Sequence, residues 1–166
     1  MKLVKRLPLS HYLIYSLIIA VGIALDQLTK YLSVAFLKPL TTVPIIKDAL
    51  HLTYVENRGA AFGMLAEHRW VFMIVSTVTI LGIAIALYTG HIDGMRYGVC
   101  LAAIVSGGIG NMIDRVALGY VVDFIDFRLI DFAVFNGADA FVCVGAGFMI
   151  LFLVLDIIKE SKEGKK

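Results

Sequence analysis

Residues 121–141 read VVDFIDFRLIDFAVFNGADAF, and the uncharged run 140–155, AFVCVGAGFMILFLVL, follows directly. A helix needs roughly 17–25 mainly apolar residues to span a bilayer, and this run with its flanks reaches that length. Two aspartates stand against it. Asp123 follows Val121 and Val122 and precedes Phe124, and Asp139 lies in the first turn of the coming helix. An ionisable group at the edge of a bilayer is expensive and marks a functional site by default. Two carboxyls in close contact cannot both ionise, so the pair holds one proton and serves as acid and base together. Capping of the helix N-terminus is a competing role for Asp139. Asp114, Asp126 and Asp131 compete as acids, but Asp126 and Asp131 fall mid-loop and are expected to be solvated.

The rest of the chain has the same character. Its 166 residues are 60% hydrophobic and 17% charged, with a mean hydropathy of +0.87; soluble domains are about 45–50% apolar and about a quarter charged. Residues 7–25, 70–92 and 97–113 also carry no Asp, Glu, Lys or Arg. The expectation is one all-α membrane domain over 1–166, with transmembrane helices at about 12–33, 70–89, 97–114 and 139–158. The first block lacks a small-residue cleavage site and continues through Asp26 and Lys30, so it reads as an uncleaved helix. Basic residues near both ends (Lys2, Lys5, Arg6; Lys159, Lys162, Lys165, Lys166) place both termini in the cytoplasm. The basic tail reads as a topology signal, not a nucleic-acid patch.

Two stretches between helices are long enough to fold. Segment 38–69 contains TTVPII and LHLTYV, read as short strands broken by Pro44 and a Lys47–Asp48 turn. It is expected to form a small β-containing outer subdomain, followed by an interfacial amphipathic segment. Segment 115–138 connects helices 3 and 4. Both lie on the outer face, so the unusual polar residues collect on one side of the membrane.

On helix 3, Gly107, Asn111 and Arg115 recur at i, i+4 and i+8, a single helical face. Gly107, Gly108 and Gly110 fit close helix packing. Asn111, Asp114 and Arg115 together fit a polar interior site. Asp26 and Lys30 on helix 1 form an i, i+4 pair at the same level, and Asn57–Arg58–Gly59 reads as a turn. Cys100 and Cys143 read as buried thiols, too far apart along the membrane normal for a disulfide. The four histidines lack metal-ligand spacing.

The set DQLTK (26–30), ENRGAAFGML (56–65), GGIGNMIDR (107–115), VVDFIDF (121–127) and FNGADAF (135–141) resembles lipoprotein signal peptidase, the signal peptidase II family, over nearly the whole chain. The charged segment between the two aspartates is the least family-like part. The resemblance implies an aspartic endopeptidase of the bacterial inner membrane that cuts prolipoproteins before a diacylglyceryl-modified cysteine. It implies Asp123 and Asp139 as the catalytic dyad, with Asp26, Lys30, Asn57, Asn111, Arg115 and Asn136 as supporting positions. It implies no metal or organic cofactor; membrane lipid is the expected partner beside the substrate, and a monomer the expected state. A proton-coupled membrane transporter is the competing class, although such a site lies nearer the bilayer midplane.

Overall fold

A computed structural model of the chain describes residues 7–59 and 69–163. Helix α1 spans Leu9–Leu32 and continues as a π-helical turn, Ser33–Leu37. Strands β1 (Thr42–Ile46) and β2 (Leu50–Asn57) follow, then α2 (Arg69–Tyr88) and α3 (Met95–Ala117). Strand β3 (Val121–Phe127), a short 3-10 turn (Arg128–Ile130) and α4 (Gly137–Glu163) complete it. Three helical stretches, Leu9–Leu37, Met95–Ala117 and Gly137–Glu163, are long and apolar enough to cross a membrane. Helix α2 is apolar over Met73–Tyr88.

Helix α3 is the hub, packed on α1, α2 and α4. Its glycines explain how one helix can have three close neighbours. A Cβ at Gly107 would stand 2.2 Å from the Ala138 carbonyl oxygen at the start of α4. One at Gly110 would stand 2.5 Å from Asp26 Oδ2 on α1, and one at Gly108 2.9 Å from Ile80 Cγ1 on α2. Each glycine therefore admits a different element, as small residues do in membrane helix packing. Between the helices Tyr15, Leu87, Ala102 and Val105 are fully packed, while Leu17, Val78 and Ile150 project outward.

The sheet is antiparallel, in the order β1-β2-β3. Two expectations change here. Pro44 does not break β1. It lies inside the edge strand, opposite His51, with a register shift before Ile46; an edge strand tolerates proline because the missing N–H can face away from the ladder. The third strand comes from the 115–138 connection, so the sheet is not confined to 38–69. Its VVDFIDF sequence is rich in the β-branched and aromatic residues that fill pleated surfaces.

Gly119, at φ 86°, turns the chain out of α3. Asp114 Oδ2 accepts from the Val122 amide at 3.0 Å, tying β3 to that helix. The expected amphipathic segment follows the loop residues of NRGAAFGML (57–65), and its part from 60 on lies outside the described residues, as do Lys2, Lys5, Arg6, Lys165 and Lys166. Both cysteines are free. Cys100 is buried, but Cys143 is exposed, because it faces a cleft and not a neighbouring helix.

Candidate active site

The start of α4 builds the site. Asn136 precedes the helix and caps it: its Oδ1 accepts from the Asp139 amide at 3.0 Å. Asp139 replies, its Oδ2 accepting from the Asn136 amide at 3.2 Å. This is the reciprocal geometry of a capping box, with two orphan helix donors satisfied at once. The cap itself is therefore Asn136, and Asp139 is its first-turn partner. The other oxygen of Asp139 remains directed at its surroundings, where Asn111 Nδ2 donates to it at 2.7 Å.

Asn136 also reaches the other aspartate. Its fully buried amide donates to Asp123 Oδ1 at 2.6 Å and to Asn111 Oδ1 at 3.0 Å. One residue thus binds Asp123 through its side chain and Asp139 through its backbone. Asn57, at the end of β2, donates to Asp123 Oδ2 at 2.9 Å. Its own Oδ1 accepts from the Gly59 amide at 3.0 Å, so the expected turn at 57–59 also orients a ligand of Asp123. All four carboxylate oxygens receive an N–H from an amide. Asp123 is 1% exposed. Burial pushes its carboxyl up to about 6, with the Asp139 charge adding to the shift and the Asn57 bond opposing it.

Both aspartates line one cleft of about 360 Å³. Asn57, Asn111 and Arg115 form its polar wall, and Val121, Phe132, Val134, Ala140 and Cys143 give it an apolar side. Arg115 donates to the Asn111 carbonyl oxygen one turn earlier at 3.4 Å. Among the described residues it forms no ion pair within 4.0 Å. Its guanidinium is available to a carbonyl or carboxylate entering the cleft.

Behind the cleft is a second acidic cluster. Lys30 Nζ contacts Asp26 Oδ2 at 2.9 Å, Asp114 Oδ2 at 3.1 Å and Asn111 Oδ1 at 2.9 Å. Those contacts use all three ammonium donors. Asp26 Oδ1 accepts from the Ala138 amide at 2.9 Å, a further orphan donor of α4. Gln27 Nε2 donates to Asp114 Oδ1 at 3.0 Å and to the Gly110 carbonyl oxygen at 3.2 Å. The Asp26–Lys30 pair is thus not a self-contained helix-end pair; it holds Asn111 and the first turn of α4.

The eight residues named from the sequence therefore come together on five elements. Sequence reasoning placed Asp114 in a polar interior site but did not join it to Lys30, and it gave Gln27 no role. The available signal for that pairing was the acid of an otherwise apolar helix, three residues after Asn111, facing a lysine on α1 that already has an acid one turn away. Asp126 is a correction: it is buried, not solvated. Thr53 Oγ1 donates to its Oδ2 at 2.6 Å and Arg128 Nε at 2.9 Å. It stands opposite His51 in the ladder and does not line the cleft. Asp131 is exposed, in a left-handed turn at φ 52°.

Comparison with known proteins identifies the family. A profile of signal peptidase (SPase) II matches residues 18–155. A lipoprotein signal peptidase of Caldanaerobacter subterraneus subsp. tengcongensis is 50% identical, over 81% of this chain and 94% of its own length. That of Clostridioides difficile is 48% identical, over 86% and 95%. A solved bacterial membrane enzyme superposes with a TM-score of 0.79 at 30% identity, covering 86% of this chain and 88% of its own. A family profile matching most of the chain, and relatives up to 50% identical over four-fifths of it, show that the chain belongs to the signal peptidase II family.

Proposed function

We propose that this protein is a membrane aspartic endopeptidase in which Asp123 and Asp139 are the catalytic dyad, and that it removes the signal peptide from diacylglyceryl-modified prolipoproteins by cutting before the lipidated cysteine. Family membership supports the reaction and gives no support to the transporter alternative. The observation that carries the choice of residues is the Asn136 bridge, which binds both carboxylates within one cleft.

The dyad holds one proton. Its ionised member takes a proton from a water, whose oxygen attacks the scissile carbonyl carbon. The protonated member donates to the carbonyl oxygen, giving a tetrahedral diol. On collapse the C–N bond breaks, the amine leaves with a proton from the dyad, and the carbonyl reforms as a carboxyl. Asn57, Asn111 and Asn136 hold the carboxylates in place without supplying a charge that would fix either as an anion. Arg115 binds the substrate backbone at the cleft wall.

In this reading all four helices, 12–33, 70–89, 97–114 and 139–158 in outline, span the bacterial inner membrane as a single domain. Both termini are cytoplasmic and the cleft opens on the outer face. The protein acts as a monomer. The substrate's acyl chains stay in the bilayer, which fixes the depth of its cysteine. The dyad's depth is fixed by the helix ends, so the search reduces to alignment in the membrane plane. The test compares matched lipidated and unlipidated precursors in the same liposomes, with Asp139→Asn as control. Cleavage is expected for the lipidated precursor and the parent enzyme alone. Equal rates on both precursors would refute positioning by lipid, and an active Asp139→Asn enzyme would refute the dyad.

A further inference from the structure

The connection between β3 and α4 carries large exposed apolar side chains, two of which, Leu129 and Ile130, the cleft does not use. Leu129 is 75% exposed, Ile130 70% and Phe132 50%. They extend an apolar row across the sheet, since Ile46 pairs with Leu50 and Leu50 with Phe127. Ile46 and Phe127 are exposed as well. Phe132 reaches the cleft rim, whereas Leu129 and Ile130 do not line it. A substrate peptide in the cleft therefore leaves the outer part of this knob uncovered.

We propose that residues 127–132 form an interfacial anchor that inserts into the outer leaflet and holds the cleft at the level of the substrate's lipidated cysteine; the second half of this statement rests on the proteolytic reading above. Three observations favour lipid over a second protein. The first is depth. The Phe132 ring lies 5.8 Å from the Phe135 ring, edge to face, and Phe135 is followed closely by Gly137, the first residue of α4. The knob is thus tied to the outer end of an apolar spanning helix.

The second is backbone satisfaction. The amide of Leu129 donates to the Ala49 carbonyl oxygen, that of Asp131 to Arg128, and that of Phe132 to Phe127. Water is scarce at the acyl boundary, and a segment placed there must satisfy its own amides. The third is the placement of charge. Arg128 is turned back onto Asp126, and Asp131 remains exposed beside the apolar residues. In the proposed placement Asp131 lies in the headgroup layer, where the ionic groups of amphipathic segments lie. The neighbouring groove between the outer end of α1 and the sheet is apolar too, with Phe36, Leu40, Val43 and Phe124 on its walls.

Trp70 is the chain's single tryptophan, which makes the test direct. In a Trp70→Phe background, Leu129→Trp and Ile130→Trp are reconstituted separately, without substrate, in phosphatidylcholine–phosphatidylglycerol vesicles. Nitroxides on shallow acyl positions are expected to quench both tryptophans severalfold more than aqueous iodide does. Quenching by iodide with no effect of the nitroxide lipids would overturn the anchor. Shielding from both, with a crosslink between copies, would overturn it in favour of self-association. The paired substitution Leu129→Asp with Ile130→Asp is expected to slow cleavage of a lipidated precursor severalfold in vesicles and to leave it unchanged in detergent. Equal slowing in both media would refute the positioning role. A parent enzyme that cleaves no precursor would defeat the proteolytic reading while leaving the quenching result intact.

Discussion

Two pairs of aspartates flank Asn111, and the protein treats them in opposite ways. Asp26 and Asp114 share the Lys30 ammonium at 2.9 and 3.1 Å. Asp123 and Asp139 form no ion pair among the described residues and receive their hydrogen bonds from amides alone. Asn111 is the boundary between the two pairs. Its Oδ1 accepts from Lys30 and its Nδ2 donates to Asp139, so it passes orientation across the boundary without passing charge. Under the proposed function the contrast separates scaffolding from chemistry. A carboxylate held by an ammonium has its negative charge compensated in place. A buried carboxylate held by neutral donors near another one binds its proton more tightly, as the proposed dyad requires.

The strongest way to break that contrast is to neutralise one member of the dyad. Asp123→Asn and Asp139→Asn should each lower kcat/KM by about 10³-fold or more, the scale of a lost acid–base group, with the protein still folded in detergent. A steady-state assay with a thermal melt on each variant decides it. Either variant keeping a tenth of parental activity would mean that the amide-held pair is not the chemical one.

The lysine cluster should fail differently. Lys30→Met leaves two buried carboxylates facing each other without a counter-charge, and breaking a buried pair in this way costs about 3–5 kcal/mol. The expected result is a large drop in the thermal midpoint, with activity lost through misplacement of Asn111. A variant that melts like the parent would remove the structural role assigned to this cluster.

A third test sharpens the comparison through pH. The Asp123 carboxyl is pushed up to about 6 by burial and then by the Asp139 charge. A carboxyl whose folded value lies above its unfolded one binds its proton more tightly when folded. Its contribution to stability is fully present below about 4 and is lost as pH rises through about 6, a change of up to about 3 kcal/mol. The thermal midpoint should therefore carry a downward component between those values, and Asp123→Asn should abolish it. A parent and variant with parallel profiles would show that Asp123 is not perturbed.

The smaller effects lie at the edges of the two clusters. Arg115→Lys should lower kcat/KM by about tenfold, because a point charge on a flexible stem does not reproduce a planar fork of donors. Full activity would reduce Arg115 to a topology signal. Asp126→Asn should keep cleavage near the parental rate and cost about 1–2 kcal/mol of stability, since a buried acceptor of two hydrogen bonds is weakened. Loss of cleavage comparable to that of Asp123→Asn would mean that the wrong acid of β3 has been chosen.

Much of this was legible along the chain. Runs without charge gave the helices, because length and hydropathy are local properties. The i, i+4 spacing placed Asp26 beside Lys30 and Gly107 in line with Asn111, because helical periodicity fixes which residues share a face. What escaped was pairing between distant segments. VVDFIDF has strand composition, but nothing in it states that its partner is LHLTYVEN, more than sixty residues earlier. Asp126 read as solvated because it was placed in the middle of a polar loop; it lies instead in β3, paired with β2, where Thr53 and Arg128 bind its carboxylate.

The sequence by itself determined an apolar helical protein with its polar residues gathered at one level, and its motifs were specific enough to indicate the family. Only the tertiary structure decided which acids belong together. Asp114 went to Lys30 and not to the cleft because Gly110 lets α1 approach α3 closely at that turn. Asp123 and Asp139 met because Asn136, as the cap of α4, binds one through its amide side chain and the other through its backbone. The physical reason is range. Hydrophobicity and helical period act over a few residues and are written in order along the chain, whereas the proton affinity of a carboxylate depends on charges and donors that only folding brings to within 3 Å of it.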